Sequence, residues 1–299
     1  MDHLINTEQL DRKTVESLFT LADSLEGVRN NSLSGKILAT LFYEPSTRTR
    51  FSFESAMARL GGAVISTENA KEFSSAAKGE TLEDTIRVMN SYADALVLRH
   101  PEAGAAERAA RVSSIPVINA GDGAGHHPTQ ALLDVYTIQK SLGKVDGITV
   151  ALVGDLKNGR AARSLVALLT QFSSISFTLV SPPELKMGSD ITDLLTKRGV
   201  VFTETDDLSR GTRDADVVYM TRVQKERFPD VDSYERLKGK YVLNRSSADA
   251  LKETAIIMHP LPRVDELLPE VDASPKAMYF KQASYGVSVR MALLTHLLS

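Results

Sequence analysis

At 299 residues the chain is long enough for two domains of ordinary size, and its 42% apolar and 24% charged residues are those of a globular protein. The formal charge of -3 and pI near 6.1 exclude the broad basic face of a nucleic-acid coat, so any anion site must be a local cluster. The lack of cysteine excludes disulfides, thiolate metal sites and a thiol nucleophile together.

The start, Met1-Asp2-His3-Leu4-Ile5-Asn6, lacks a basic region followed by an apolar core. No apolar run approaches the roughly 20 residues of a membrane span, so a soluble, cytoplasmic protein is expected. Residues 7–26 carry Leu10, Leu18, Phe19, Leu21, Ala22 and Leu25 at helical spacing, with Gly27 as the stop. Strand-like runs follow at 36–43, 62–67, 95–99, 116–120, 148–154, 176–181, 200–204, 217–221, 240–244 and 255–259. Helical stretches between them include 51–60, 81–93, 128–143 and 160–172, and a last helix is expected from about 287 to 298. Continuous apolar strands alternating with helices predict an α/β protein whose parallel sheets are covered on both faces. The glycine-rich loop Gly121-Asp122-Gly123-Ala124-Gly125 and the helix after it mark the midpoint. The expected architecture is two doubly wound parallel-sheet domains joined by interdomain helices, one of residues 1–130 plus 285–299 and the other of 131–284. Ligands are expected at the carboxyl ends of the strands and in the cleft between the halves.

The segment Ser46-Thr47-Arg48-Thr49-Arg50 stands where a strand and the turn Glu44-Pro45 lead into a helix. Free N–H groups and the macrodipole at a helix start favour anions and disfavour cations, so two arginines there make sense when a phosphate completes the charge balance. A purely structural reading has Ser46 or Thr47 capping the helix and Arg50 pairing with Glu54 one turn on. Arg48 has no acid three or four places ahead, which leaves Arg50 as structural and Arg48 as functional.

Donors recur after the next strands: Arg99 and His100, then His126, His127, Thr129 and Gln130. One such residue would be an ordinary loop residue; together they describe a pocket for a phosphate and a neighbouring carbonyl oxygen. In the second half Val153-Gly154-Asp155-Leu156 leads to Arg160 but lacks the G-x-G-x-x-G of a dinucleotide site. Arg222 and Gln224 follow a strand two residues apart, on one side if the segment stays extended, and Arg suits a carboxylate.

The pieces STRTRFSFE (46–54), KGETLEDTI (78–86), LRHP (98–101), NAGDG with HHPTQALLD (119–134), VGDLKNGR (153–160), YMTRVQKERF (219–228) and HPLPRVDE (259–266) resemble the catalytic chains of the aspartate carbamoyltransferase family, in order and over nearly the whole sequence. The resemblance implies carbamoyl transfer from carbamoyl phosphate to the amino group of L-aspartate in pyrimidine synthesis. It implies a homotrimer with active sites shared between subunits, no cofactor and no metal. It assigns the first domain to carbamoyl phosphate and the second to aspartate.

By motif it implies that Ser46, Thr47, Arg48 and Thr49 hold the phosphate with Arg99. Thr49, Arg99 and His127 would polarise the carbonyl, and Gln130 would contact the carbamoyl amide. Arg160, Arg222 and Gln224 would hold the aspartate carboxylates, with backbone groups of Pro260 and Leu261 completing the pocket. Ser74 and Lys78 match a loop inserted from the neighbouring subunit. Glu44 is expected to pair with Arg160 and Arg227 of the other half, and Leu261-Pro262 is expected to be cis.

Two rivals remain at this stage. An ornithine carbamoyltransferase shares STRTR and HPTQ, but ornithine's cationic tail calls for an acidic receiver where this chain offers Arg222 and Gln224. A non-catalytic phosphate sensor of the same fold would be expected to lose Arg99, His127 or Lys78, and all are present. The sequence leaves open whether a regulatory chain joins two trimers.

Overall fold

A computed structural model describes residues 1–73, 75–224 and 230–299. The chain divides into two compact units, Met1–Leu133 with Ala283–Ser299, and Asp134–Gln282. Strands β1 (Ile37–Phe42), β2 (Ala63–Glu68), β3 (Ala95–His100) and β4 (Val117–Asp122) form the first sheet, in the order β2-β1-β3-β4. Strands β5 (Thr149–Val153), β6 (Ser176–Val180), β7 (Val201–Thr205), β8 (Val217–Met220) and β9 (Ile256–Met258) form the second, in the order β7-β6-β5-β8-β9. Every pairing in both sheets is parallel. The central strands are apolar because helices cover both faces: Leu38, Leu96, Val97, Val150, Leu152 and Val218 are wholly buried.

In the first unit the helices are α1 (Arg12–Leu25), α2 (Thr47–Arg59), α3 (Ala70–Phe73), α4 (Leu82–Met89) and α5 (Ala105–Val112). Helix α6 (Pro128–Leu142) carries the chain into the second unit, which holds α7 (Arg160–Leu169), α8 (Ser189–Lys197), α9 (Leu208–Thr212), α10 (Val231–Leu237) and α11 (Arg245–Asp249). Helix α12 (Tyr279–Leu298) carries it back.

Three expectations need correction. The helix expected over 7–26 is a 3-10 turn, Thr7–Gln9, and then α1, because Asp11 takes an extended backbone and its carboxylate accepts from Thr14 N–H. The run 240–244 is no strand: only Leu243 bridges, to Leu267, and Asn244 is committed to capping α11 through Ser247 N–H. The last helix starts at Tyr279, well before 287, and runs through Gly286, where a Cβ would lie 2.3 Å from Arg290 Nη1 and 3.3 Å from Leu133 Cδ2. No helix among the described residues is long and apolar enough to cross a membrane.

Candidate active site

In the first sheet, three adjacent strands end beside one another and each delivers donors. Strand β1 runs into the turn at Glu44-Pro45 and then α2, whose N-cap is Ser46. Phe42 of β1 pairs with Arg99 of β3, and Tyr43 N–H donates to Arg99 O at 2.9 Å, so Arg99 lies next to that turn. Leu98 pairs with Asn119 of β4, and β4 leads through the glycine-rich loop to His127, whose carbonyl accepts the first N–H groups of α6 from Gln130 and Ala131. Neighbouring strands stand about 4.8 Å apart, which puts these three carboxyl ends within reach of one small ligand.

The start of α2 has the features of an anion site. Ser46 makes no side-chain cap, and the first turn holds no acid. A helix start without a capping side chain or an acid is electropositive and favours anions. Thr49, His127 and Gln130 are buried, while Thr47 and Arg48 are exposed.

Arg50 is spent on structure, as expected. It pairs with Glu54 at 3.6 Å and with Glu68 at 2.9 Å, and its guanidinium lies 4.9 Å from the Phe51 ring centre. Glu44 meets Arg99 within its own unit, with Nε 3.4 Å from Oε2. Arg99 was not among its expected partners, Arg160 and Arg227; Arg227 lies outside the described residues, as does Ser74. Lys78 ends the 3-10 turn Ser75–Lys78 and is exposed.

Sequence reasoning missed the carboxylate that organises the loop before His127. Asp122 is 2% exposed; one oxygen accepts from Asn119 Nδ2 (3.0 Å) and His126 N–H (2.8 Å), the other from Gly104 N–H (2.7 Å). Asn119, also buried, donates to Ile5 O at 2.8 Å and accepts from Gly121 N–H. The signal was an acid inside a glycine run, since a Cβ at Gly125 would sit 2.9 Å from that carboxylate. His100 is a core residue: its Nδ1 accepts from Glu102 N–H and its ring lies 4.8 Å from Tyr43. Burial pushes its pKa down.

The second unit repeats the pattern with β5, β8 and β9, again adjacent. Strand β5 ends at Val153 and leads by Gly154-Asp155 to α7, which begins with Arg160. Asp155 is fully buried; it accepts from Asn158 N–H (2.9 Å) and Nδ2 (3.1 Å) and from Gln224 N–H at 3.5 Å. Burial raises its pKa, and those donors work against the rise. Strand β8 ends at Met220; the next residue, Thr221, binds Val153 O through both its N–H and its Oγ1 at 2.8 Å, so Arg222 follows directly and Gln224 reaches Asp155. Strand β9 ends at Met258 and gives way to His259-Pro260-Leu261-Pro262, where the Leu261-Pro262 bond is cis, as expected, and Leu261 has a φ of 53°. A cavity among Gly154, Thr221, Tyr241 and Glu266 has a volume of about 20 Å³, enough for one water and no substrate.

The chain matches two family models. One is described as aspartate/ornithine carbamoyltransferase, carbamoyl-P binding domain, over residues 2–140, and the other as aspartate/ornithine carbamoyltransferase, Asp/Orn binding domain, over residues 146–297. It is 55% identical over 304 residues to aspartate carbamoyltransferase 3, chloroplastic, of Pisum sativum, covering 100% of this chain and 78% of that one. It is 50% identical over 303 residues to the aspartate carbamoyltransferase catalytic subunit of Methanocaldococcus jannaschii, covering 100% and 98%. Among solved structures it is similar to aspartate transcarbamoylase from Trypanosoma cruzi in complex with carbamoyl phosphate and aspartate, with a TM-score of 0.95, 44% identity and coverage of 100% and 97%.

Proposed function

We infer the activity from one premise: the chain belongs to the aspartate/ornithine carbamoyltransferase family. It is an enzyme of the aspartate branch, transferring the carbamoyl group of carbamoyl phosphate to the amino group of L-aspartate and releasing N-carbamoyl-L-aspartate and phosphate, in de novo pyrimidine biosynthesis. The observation that carries the assignment of residues is the convergence of three neighbouring strand ends in each sheet, one set rich in phosphate donors and the other offering Arg160, Arg222 and Gln224.

On this reading the N–H groups and hydroxyls of Ser46, Thr47 and Thr49 hold the phosphate with Arg48 and Arg99. Gln130 and the backbone of Pro260 and Leu261 receive the carbamoyl amide. Attack by the amine pushes charge first onto the carbonyl oxygen and then onto the departing phosphate. Thr49, Arg99 and His127 are donors fixed where that charge develops, so they bind the transition state more tightly than the substrates. Arg160, Arg222 and Gln224, with the backbone of Leu261, take the aspartate carboxylates. Asp155 sets the segment from which Arg160 and Gln224 extend.

Ser74 and Lys78 serve the site of a neighbouring subunit in a homotrimer, with Lys78 reaching both the aspartate and the reacting groups. The enzyme works in the cytoplasm. A relative named as a catalytic subunit supports a larger assembly with a regulatory chain. Solution mass, with and without a co-expressed partner, tests both levels of assembly.

Phosphate release tests the reaction. With carbamoyl phosphate present it should follow added aspartate and be absent with ornithine. Turnover of ornithine, or of neither amino acid, would overturn the assignment.

A further inference from the structure

The second unit holds a buried histidine that the reaction scheme leaves unused. His259 is 1% exposed and sits between the end of β9 and the Pro260-Leu261 segment. Its Nδ1 accepts from Leu261 N–H at 2.7 Å, and its Nε2 lies 2.8 Å from Glu266 Oε1. A ring nitrogen that accepts an N–H carries no proton, so the proton is on Nε2 and is donated to the carboxylate. Glu266 also accepts from Val264 N–H at 3.1 Å and 3.3 Å, one contact to each oxygen, so it serves as an acceptor throughout. Burial alone would raise its pKa, yet it is held below the usual value, chiefly by the hydrogen bond from His259.

The backbone of His259 is fixed as well, since its N–H donates to Gln282 Oε1 at 2.9 Å. That amide in turn donates to Asp134 Oδ1, and Asp134 Oδ2 accepts from Tyr219 O–H at 2.7 Å. The residue is therefore anchored through its backbone N–H and through Nε2 before its Nδ1 meets Leu261. Leu261 needs such an anchor, because a branched side chain is strained at a φ of 53° and its N–H is turned inward at that angle.

We propose that His259 is a positioning residue for the aspartate side of the site, its Nδ1 being the acceptor that fixes Leu261 in its left-handed conformation and so aims the Pro260 and Leu261 backbone at the substrates. This rests on the assignment of Pro260 and Leu261 to the substrates made above.

Two substitutions separate the two ring nitrogens. His259→Asn keeps an acceptor near the place of Nδ1 and loses the reach to Glu266. His259→Gln reaches Glu266 and has no acceptor for Leu261. The expected result is a rise in the KM for aspartate of about tenfold in His259→Gln, the worth of one buried hydrogen bond, against under about threefold in His259→Asn. Melting temperatures of the two variants should be alike, since each loses one bond. Equal KM values for the two variants, or the reverse order, would overturn the proposal. If His259→Gln does not fold, the histidine ¹⁵N spectrum of the unaltered protein decides, with a bare Nδ1 expected and a protonated Nδ1 refuting the proposal. Failure of the unaltered enzyme to release phosphate with aspartate would instead sink the reaction assignment, a separate readout.

Discussion

Arg48 and Arg50 stand two places apart on one helix start, in different surroundings. Arg50 is taken up by Glu54 and Glu68, whereas Arg48 is exposed at the N–H end of α2. Arg48→Ala and Arg99→Ala should each raise the barrier by about 2.7–4 kcal/mol, the scale of one lost donor to developing charge, seen as a fall in kcat at saturating substrates. Arg50→Met should instead show as lost stability in urea with kcat nearly kept.

A second residue-scale prediction concerns acid. Asp272 is bound by Arg263, with Nη2 2.7 Å from Oδ2, and by Tyr279 O–H; the hydrogen bonds from Arg263 and then Tyr279 hold its carboxyl below the usual range. A lowered folded pKa means the unfolded chain binds the extra proton. The stabilisation is therefore complete above the ordinary carboxylate pKa of about 3.9 and is lost as pH falls from there through the folded value. Urea midpoints of the unaltered protein and Arg263→Met should differ most near neutral pH and converge below that range. A constant gap would count against the pair.

At the level of elements, carboxyl ends of parallel strands carry the proposed donors of each unit, and Gly154 shows how tight that construction is. Its φ is 112°, and a Cβ there would stand 2.3 Å from Thr221 O. Gly143 is also left-handed, at 70°, but has open space around it. Gly143→Ala should cost about 1–2 kcal/mol. Gly154→Ala should cost more, and should also raise the KM for aspartate, because Thr221 leads directly to Arg222.

Most of this layout was legible in the sequence because strands and helices announce themselves by local period, and the donors follow them within a few residues. What was not legible depends on partners far along the chain. Nothing near Asp122 reveals Gly104, and nothing near His259 reveals Gln282. The false strand at 240–244 failed for the same reason: Tyr241 and Leu243 are buried as strand residues would be, but Tyr241 O–H goes to Asp206 O and Leu243 forms an isolated bridge with Leu267. The early start of α12 was hidden by Gly286, which reads as a helix breaker until Arg290 and Leu133 are seen against it.

For the molecule as a whole, the first unit is assembled from two distant stretches of chain. The returning part of α12 brings Arg290, 3% exposed, to α2, where its Nη1 donates to Ser52 Oγ at 2.9 Å and its guanidinium lies 4.9 Å from the Phe53 ring centre. Arg290→Met should cost about 1–3 kcal/mol in urea unfolding and raise the KM for carbamoyl phosphate with little effect on that for aspartate. Equal effects on both substrates would argue against this local role. The same arrangement sets an order for biosynthesis. The stretch from Asp134 to Gln282 is contiguous and complete in the chain at residue 282, but α2 receives the support of Arg290 only when residue 290 has left the ribosome. The earlier-made half of the enzyme is thus the later one to mature.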